Sequence, residues 1–82
     1  MRLDKFLKVS RLVKRRTVAK DFADHERVLV NGRVAKPATE VRPGDVITIQ
    51  FGVRKMVVEV LELKESVRAA DAAQLYRTIE QS

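Results

Sequence analysis

The sequence predicts a small α+β fold, in which an α-turn-α motif packs on a small twisted, mainly antiparallel β-sheet and a helix follows at the C-terminus. Three observations support this prediction. Apolar residues recur at helical spacing over residues 1–24, the pattern becomes extended after residue 26, and helical spacing returns after residue 67. A chain of 82 residues can bury only a modest core, so we expect one small module.

The N-terminal segment, residues 1–24, predicts two short helices joined by a turn. Leu3, Phe6 and Leu7 recur at i, i+3, i+4, which indicates a first helix with one apolar stripe. Ser10 is a plausible turn residue. A second helix is expected from about Lys14 or Arg15 to about residue 24, and its apolar stripe consists of Val18, Ala19, Phe22 and Ala23.

The middle of the chain predicts two hairpins. Asn31-Gly32 separates two short β-rich runs, and this pair readily adopts the positive φ angles of a tight hairpin turn. Pro43-Gly44 marks a second turn, because proline presets φ and glycine accepts φ > 0. Two longer β-rich runs follow, residues 46–51 and about 55–63, joined at Gly52. We expect them to close a small twisted sheet.

The tail carries a last helical pattern from residue 67 to about residue 81. Its apolar positions are Ala69, Ala72, Ala73, Tyr76 and Ile79. This spacing predicts a helix packed on the sheet or on a partner. The predicted division is therefore residues 1–65 for the main domain with its β-extension and residues 66–82 for a helical tail.

The charge is concentrated at the N-terminus. Residues 1–20 hold eight basic side chains and one acid, Asp4, whereas residues 21–82 carry nine basic and ten acidic side chains, so the whole excess of +6 lies in the first quarter. A concentrated patch attracts a polyanion. We predict that its members bind RNA: Arg2, Lys5, Lys8, Arg11, Lys14, Arg15, Arg16 and Lys20.

The position of the cluster favours phosphate as its ligand. Lys14, Arg15 and Arg16 fall at the N-terminal end of the second helix, where the unpaired N–H groups already make the potential positive. A phosphate there would satisfy both the side chains and the N–H groups. The alternative is a solvated charged surface. The only aromatic residues are Phe6, Phe22, Phe51 and Tyr76, which favours recognition of structured RNA by shape over base stacking.

Other classes of function find little support in the composition. There is no cysteine and only one histidine, His25, and no Gly-rich phosphate loop, so we expect no catalytic residues, no metal and no cofactor. No apolar run approaches the ~18 residues of a membrane span, and the N-terminus lacks the apolar segment of a signal peptide. We expect a cytoplasmic, non-enzymatic protein without membrane contact.

Two stretches, MRLDKFLKVSRLVKRRTVAK and VLVNGRVAKPATEVRPGDVITI, resemble the S-four (S4) RNA-binding domain family, named after a protein of the small ribosomal subunit. The shared features are an Arg-Leu-Asp start, a basic helix near residue 16, a Val-Asn-Gly hairpin and a Pro-Gly-Asp turn before a strand. The resemblance implies an α-turn-α motif whose helices form the RNA surface. It also implies RNA contacts at Arg2 and Arg16, with Lys14, Arg15 and Lys20 as neighbours.

Within this family the chain looks most like the RqcP group, relatives of heat-shock protein fifteen. That resemblance implies binding to rRNA and tRNA on obstructed large ribosomal subunits that hold peptidyl-tRNA. It further implies support of C-terminal alanine tailing by a partner factor on the same subunit, in ribosome-associated quality control. A monomer is expected. One departure is visible, since relatives often have glycine where this chain has Glu26, after the second helix.

Three alternatives remain beside this leading hypothesis. The protein could recycle ribosomal subunits, as the heat-shock relative does. It could be a basic adaptor that recruits an enzyme through Tyr76 and Ile79 of the tail helix. It could also be an RNA-modifying enzyme, which the absence of a catalytic constellation disfavours.

Overall fold

The computed structural model describes all 82 residues. The elements in chain order are α1 (Leu3–Val9), α2 (Arg16–Asp24), β1 (Val28–Val30), β2 (Arg33–Val34), β3 (Val46–Phe51), β4 (Arg54–Val60), a 3₁₀ helix (Ala69–Leu75) and β5 (Tyr76–Gln81). The five strands form one antiparallel sheet in the order β2-β1-β3-β4-β5. The predicted α+β class, with an α-turn-α motif on an antiparallel sheet, is confirmed. None of the helices is long and apolar enough to cross a membrane.

One hydrophobic core joins the helix pair to the sheet. Leu3, Phe6 and Leu7 of α1 are fully buried, as their spacing predicts. They share a cluster with alternate residues of β3 and β4, because side chains two apart on a strand point to the same face. The other members of this cluster are Val13, Ala19, Ala23, Val28, Ala35, Val41, Ile47, Ile49, Val58, Val60 and Leu75.

The N-terminus is held against the chain that follows the first hairpin. Leu3 donates its N–H to the carbonyl of Thr39 at 2.8 Å, and Val41 donates to the carbonyl of Met1 at 2.9 Å. Arg2 thereby forms an isolated antiparallel bridge with Glu40. This pairing fixes the backbone of Arg2 before α1 begins.

The second helix ends in a Schellman motif built around a glutamate. Glu26 has φ 60° and donates its N–H to the carbonyl of Ala23 at 3.1 Å, while Arg27 donates to the carbonyl of Phe22 at 2.9 Å. This is the left-handed cap for which glycine is the usual residue. The substitution noted in the sequence therefore keeps the cap geometry and places a side chain in a backbone region that disfavours it.

The hairpin turn at Asn31-Gly32 is tied to the Pro43-Gly44 turn that precedes β3. Asn31 and Gly32 have φ 53° and 81°, the positive pair of a type I′ turn, as predicted. The side chain of Asn31 accepts a hydrogen bond from the N–H of Val46 at 2.9 Å and donates one to Asp45 Oδ1 at 3.1 Å. Asp45 Oδ2 accepts from the N–H of Arg42 at 2.8 Å, which closes the Pro-Gly turn.

The tail departs from the prediction of a helix over residues 67–81. Only Ala69–Leu75 is helical, as a 3₁₀ helix, and Tyr76–Gln81 forms strand β5 along the edge of β4. The buried residues Ala72 and Leu75 lie three apart, which matches the 3₁₀ repeat. Beyond them, pairing with the free edge of β4 satisfies backbone groups that a helix would leave exposed on that strand.

Candidate nucleic-acid interface

A buried carboxylate lies at the centre of the N-terminal basic cluster. Asp4, in the first turn of α1, is 3% exposed. Its Oδ1 accepts hydrogen bonds from the N–H of Lys5 at 2.8 Å, from Arg2 Nε at 3.2 Å and from Arg16 Nη2 at 3.4 Å. Its Oδ2 accepts a second bond from Arg2, through Nη2, at 3.2 Å. We call Asp4, Arg2 and Arg16 the Asp4 cluster.

The electrostatics of the cluster keep the carboxyl ionised. Burial alone would raise the pKa of Asp4, because it removes the charged form from water. The hydrogen bonds from Arg2 and Arg16 and the charges of the two guanidiniums oppose this effect and hold the pKa below its ordinary value. One negative charge therefore orients two positive ones and leaves a net charge of about +1 in the cluster.

The two guanidiniums remain available to a ligand. The side chains of Arg2 and Arg16 are 52% and 47% exposed, although both hydrogen-bond to a carboxylate that is almost fully buried. With Lys5 they line a shallow groove whose other residues are Met1, Leu63 and Glu65. Because an arginine has five donors in a planar fork, each side chain can contact Asp4 and a phosphate oxygen together.

Glu65 neutralises part of this groove. Its carboxylate forms an ion pair with Lys5, and that hydrogen bond and charge lower the pKa of Glu65. Glu65 is exposed and lies in the segment between β4 and the 3₁₀ helix. Lys5 is thus the one predicted RNA-binding residue whose charge an exposed acid balances.

The other five predicted residues form no ion pair or side-chain hydrogen bond within the chain. Lys8 is half-buried and the remaining four are exposed. Their charges are uncompensated and face solvent, as expected of a surface that attracts phosphates. The five residues are Lys8, Arg11, Lys14, Arg15 and Lys20.

The turn between the helices carries an unusual backbone conformation. Arg11 has φ 61°, and its N–H donates to the carbonyl of Lys8 at 3.1 Å, which reverses the chain after α1. An arginine in this left-handed region is less favourable than glycine by roughly 1 kcal/mol. A long cationic side chain therefore occupies a position where local stability favours glycine.

The start of α2 lacks the usual compensation of its helix dipole. Arg15 precedes the helix with an extended backbone and makes no side-chain cap, and the first turn contains no acid. Arg16 is the first helical residue, close to the start that the sequence predicted. The free N–H groups of this turn and the basic side chains beside them together suit a phosphate.

Sequence reasoning identified the basic residues but not all of their arrangement. The structure brings Arg2, Lys5 and Arg16 into one groove and Lys14 and Arg15 into another. Arg2 and Asp4 are only two residues apart, so the bond between them is local in sequence. The bond from Arg16 to Asp4 spans 12 residues, and no local pattern indicates it.

Comparison with known proteins points in the same direction. Residues 1–47 match the family model of the S4 domain. The chain is 49% identical over 81 residues to the RQC P-site tRNA stabilizing factor of Bacillus subtilis (strain 168), an alignment that covers 99% of this chain and 94% of that protein. It is 50% identical over 82 residues to the factor of the same name from Streptococcus pneumoniae (strain ATCC BAA-255 / R6), with 100% of this chain and 93% of that protein covered.

A solved structure agrees with these relatives. The trimeric structure of Vibrio cholerae heat shock protein 15 superposes with a TM-score of 0.88 at 34% identity, and the match covers 95% of this chain and 80% of that chain. The resemblance carried by the N-terminal motifs is thereby confirmed. The chain belongs to the S4 domain family and, within it, to the group of the RQC P-site tRNA stabilizing factors.

Proposed function

We propose that this protein is a non-enzymatic RNA-binding factor of ribosome-associated quality control that acts in the cytoplasm. It binds rRNA and tRNA on obstructed large ribosomal subunits that carry peptidyl-tRNA. The observation that carries the proposal is the Asp4 cluster, in which a buried acid holds Arg2 and Arg16 half-exposed beside five uncompensated basic side chains. The name shared by the two bacterial relatives supports the tRNA as a ligand.

The proposed mechanism is stabilisation by simultaneous contact. Phosphate contacts fix position and orientation on a nucleic acid and release counterions, so they provide affinity without chemistry. A protein that contacts rRNA and tRNA at once joins two ligands, and its free energy of binding adds to that of the tRNA on the subunit. A tRNA held in this way would support repeated alanine addition by a tailing factor on the same subunit.

Co-sedimentation tests this proposal directly. Vacant large subunits and large subunits that carry peptidyl-tRNA are each mixed with the purified protein at two salt concentrations. We expect tighter binding to the particle with peptidyl-tRNA, with a strong loss of affinity at the higher salt. Binding that ignores both the tRNA and the salt would contradict the proposal.

Recycling of ribosomal subunits is a second candidate, which rests on the family resemblance described in the sequence analysis. The co-sedimentation experiment also bears on this candidate. The proposed quality-control role requires peptidyl-tRNA and therefore predicts a preference for the particle that carries it. The adaptor hypothesis loses the helix on which it depended, since Tyr76 and Ile79 lie on strand β5, where Ile79 falls at a register irregularity opposite β4.

We further propose that the protein acts as a monomer. The Vibrio cholerae relative is described as trimeric, so the oligomeric state decides whether this chain differs from it. Sedimentation equilibrium over a range of protein concentrations should give the mass of one chain, 9.3 kDa. A mass three times larger would contradict the monomer.

A further inference from the structure

A second groove with a different character adjoins the Asp4 cluster. It lies between the turn after α1, the outer face of α2 and the end of β3, and we call it the aromatic groove. Val13 is buried, but the other four apolar members are at least partly exposed, with Val18 at 38%. The groove is lined by Leu12, Val13, Lys14, Arg15, Val18, Phe22 and Phe51.

Long-range contacts build the aromatic groove. Gln50 donates its N–H to the carbonyl of Arg27 at 2.9 Å, which holds the end of β3 beside the exit of α2. Phe51 therefore reaches Phe22, with ring centroids 5.5 Å apart and an angle of 62° between the planes. Both rings line the groove at a steep angle to each other, so it offers aromatic surface to a flat group.

Charge decides which flat group fits. Lys14 and Arg15 line the groove, both are exposed, and neither has an acidic partner. No lining residue is acidic. An apolar protein side chain would fill the groove without using these cations, whereas a nucleotide has an apolar face and a phosphate on each side.

We propose that the aromatic groove receives one unstacked nucleobase of the bound RNA, while Lys14 and Arg15 contact the flanking phosphates. This inference rests on the RNA-binding function proposed above and adds base stacking to it. The sequence alone favours recognition by shape and places Phe22 on the apolar stripe of the second helix. In the structure Phe22 is only partly buried and shares the groove with Phe51.

Two RNA hairpins of equal length and charge test the inference. One carries a single bulged adenine in its stem and the other is fully paired. We expect the protein to prefer the bulged hairpin by roughly tenfold, the scale of stacking one base on an aromatic side chain. Phe51→Leu keeps an apolar side chain but removes the ring, so it should abolish the preference and leave affinity for the paired hairpin unchanged.

A tryptophan reporter provides an independent readout. The chain contains no tryptophan, so Phe51→Trp introduces a single tryptophan, which can be excited selectively and retains an aromatic face. Its emission should be quenched by the bulged hairpin and not by the paired one. Circular dichroism melting of both variants separates a loss of the ring from a loss of folding.

The outcomes are distinguishable. Equal binding of both hairpins by the unmodified protein, with strong salt dependence, would contradict the proposal that the aromatic groove binds a base. It would not contradict the RNA-binding function. Failure to bind either hairpin at low salt contradicts the RNA-binding function, and the groove falls with it. An equal loss for both hairpins in Phe51→Leu with normal melting also overturns the groove, because the ring would then serve no unpaired base.

Discussion

Arg16, the first residue of α2, donates a hydrogen bond from Nη2 to Oδ1 of Asp4 in α1, at 3.4 Å. This bond joins the starts of the two helices and aims a guanidinium that stays half-exposed. Since Arg2 contacts the same carboxylate, one buried acid positions both arginines. The proposed RNA contacts of Arg2 and Arg16 therefore depend on the acidic residue Asp4, which holds the two basic side chains in position.

The substitution Asp4→Asn tests whether Asp4 acts by positioning the two arginines or only through its negative charge. The amide keeps the shape but offers an N–H₂ group to donors, so we expect a loss of about 1–2 kcal/mol of unfolding free energy. Affinity for large subunits that carry peptidyl-tRNA should fall several-fold, although the net charge rises by one. The control Asp24→Asn removes the same charge from an exposed position and should change neither quantity appreciably. Tighter binding by both variants would show that Asp4 acts only through its charge.

The stability of the protein should fall in acid through Asp4. Its pKa is lowered in the folded state, so the unfolded state takes up the proton first as pH falls, and this favours unfolding. The contribution is complete above the ordinary carboxyl pKa of about 4 and is lost as pH falls through the folded value. Urea titrations at pH 6 and pH 3 should show a smaller acid loss for Asp4→Asn than for the unmodified protein. An equal loss in both would exclude Asp4 as the source.

The double variant Arg15→Ala, Arg16→Ala should weaken binding to large subunits by tenfold or more, because each substitution removes a charge-assisted hydrogen-bond donor to phosphate. The slope of log K against log[salt] should become shallower by about one for each phosphate that the variant no longer binds. Arg33→Ala is the matched control, since Arg33 is exposed on β2 and has no ion pair. Association that survives the double change at elevated salt would show that the RNA surface lies elsewhere.

The two left-handed caps allow a paired experiment on stability and function. Arg11→Gly and Glu26→Gly each relieve a side chain at φ near 60°, so both should raise the unfolding free energy, by about 1 kcal/mol. Only Arg11→Gly should also weaken RNA binding. Thermal melting and hairpin titration of both variants check this. Unchanged RNA affinity in Arg11→Gly would remove Arg11 from the predicted RNA-binding residues.

Two substitutions in the tail test whether its last residues form a strand or continue a helix. Leu75 is 1% exposed and Ile79 is 47% exposed. Leu75→Ala should therefore cost about 2–4 kcal/mol, whereas Ile79→Ala should cost less than about 1 kcal/mol. In a continuous helix these residues, four apart, would share a face and lose similar amounts. Chemical denaturation of the two variants measures the difference.

Much of the fold follows from signals between near neighbours in sequence. The spacing of Leu3, Phe6 and Leu7 predicts α1, and Asn31-Gly32 predicts the type I′ turn, because each depends on the conformations of a few adjacent residues. The concentration of positive charge in residues 1–20 is also evident from the sequence alone. These features, with the S4 motifs, determined the fold class and the class of ligand proposed.

Other features depend on groups far apart in the chain. Residues 76–81 form a strand because β4 offers them an unpaired edge, and the alanine spacing before them cannot report that edge. The pairing of Arg16 with Asp4 and the meeting of Phe22 with Phe51 likewise require the helices to be seated on the sheet. Local propensity acts over a few residues, whereas these contacts exist only once the hydrophobic core has brought distant segments together.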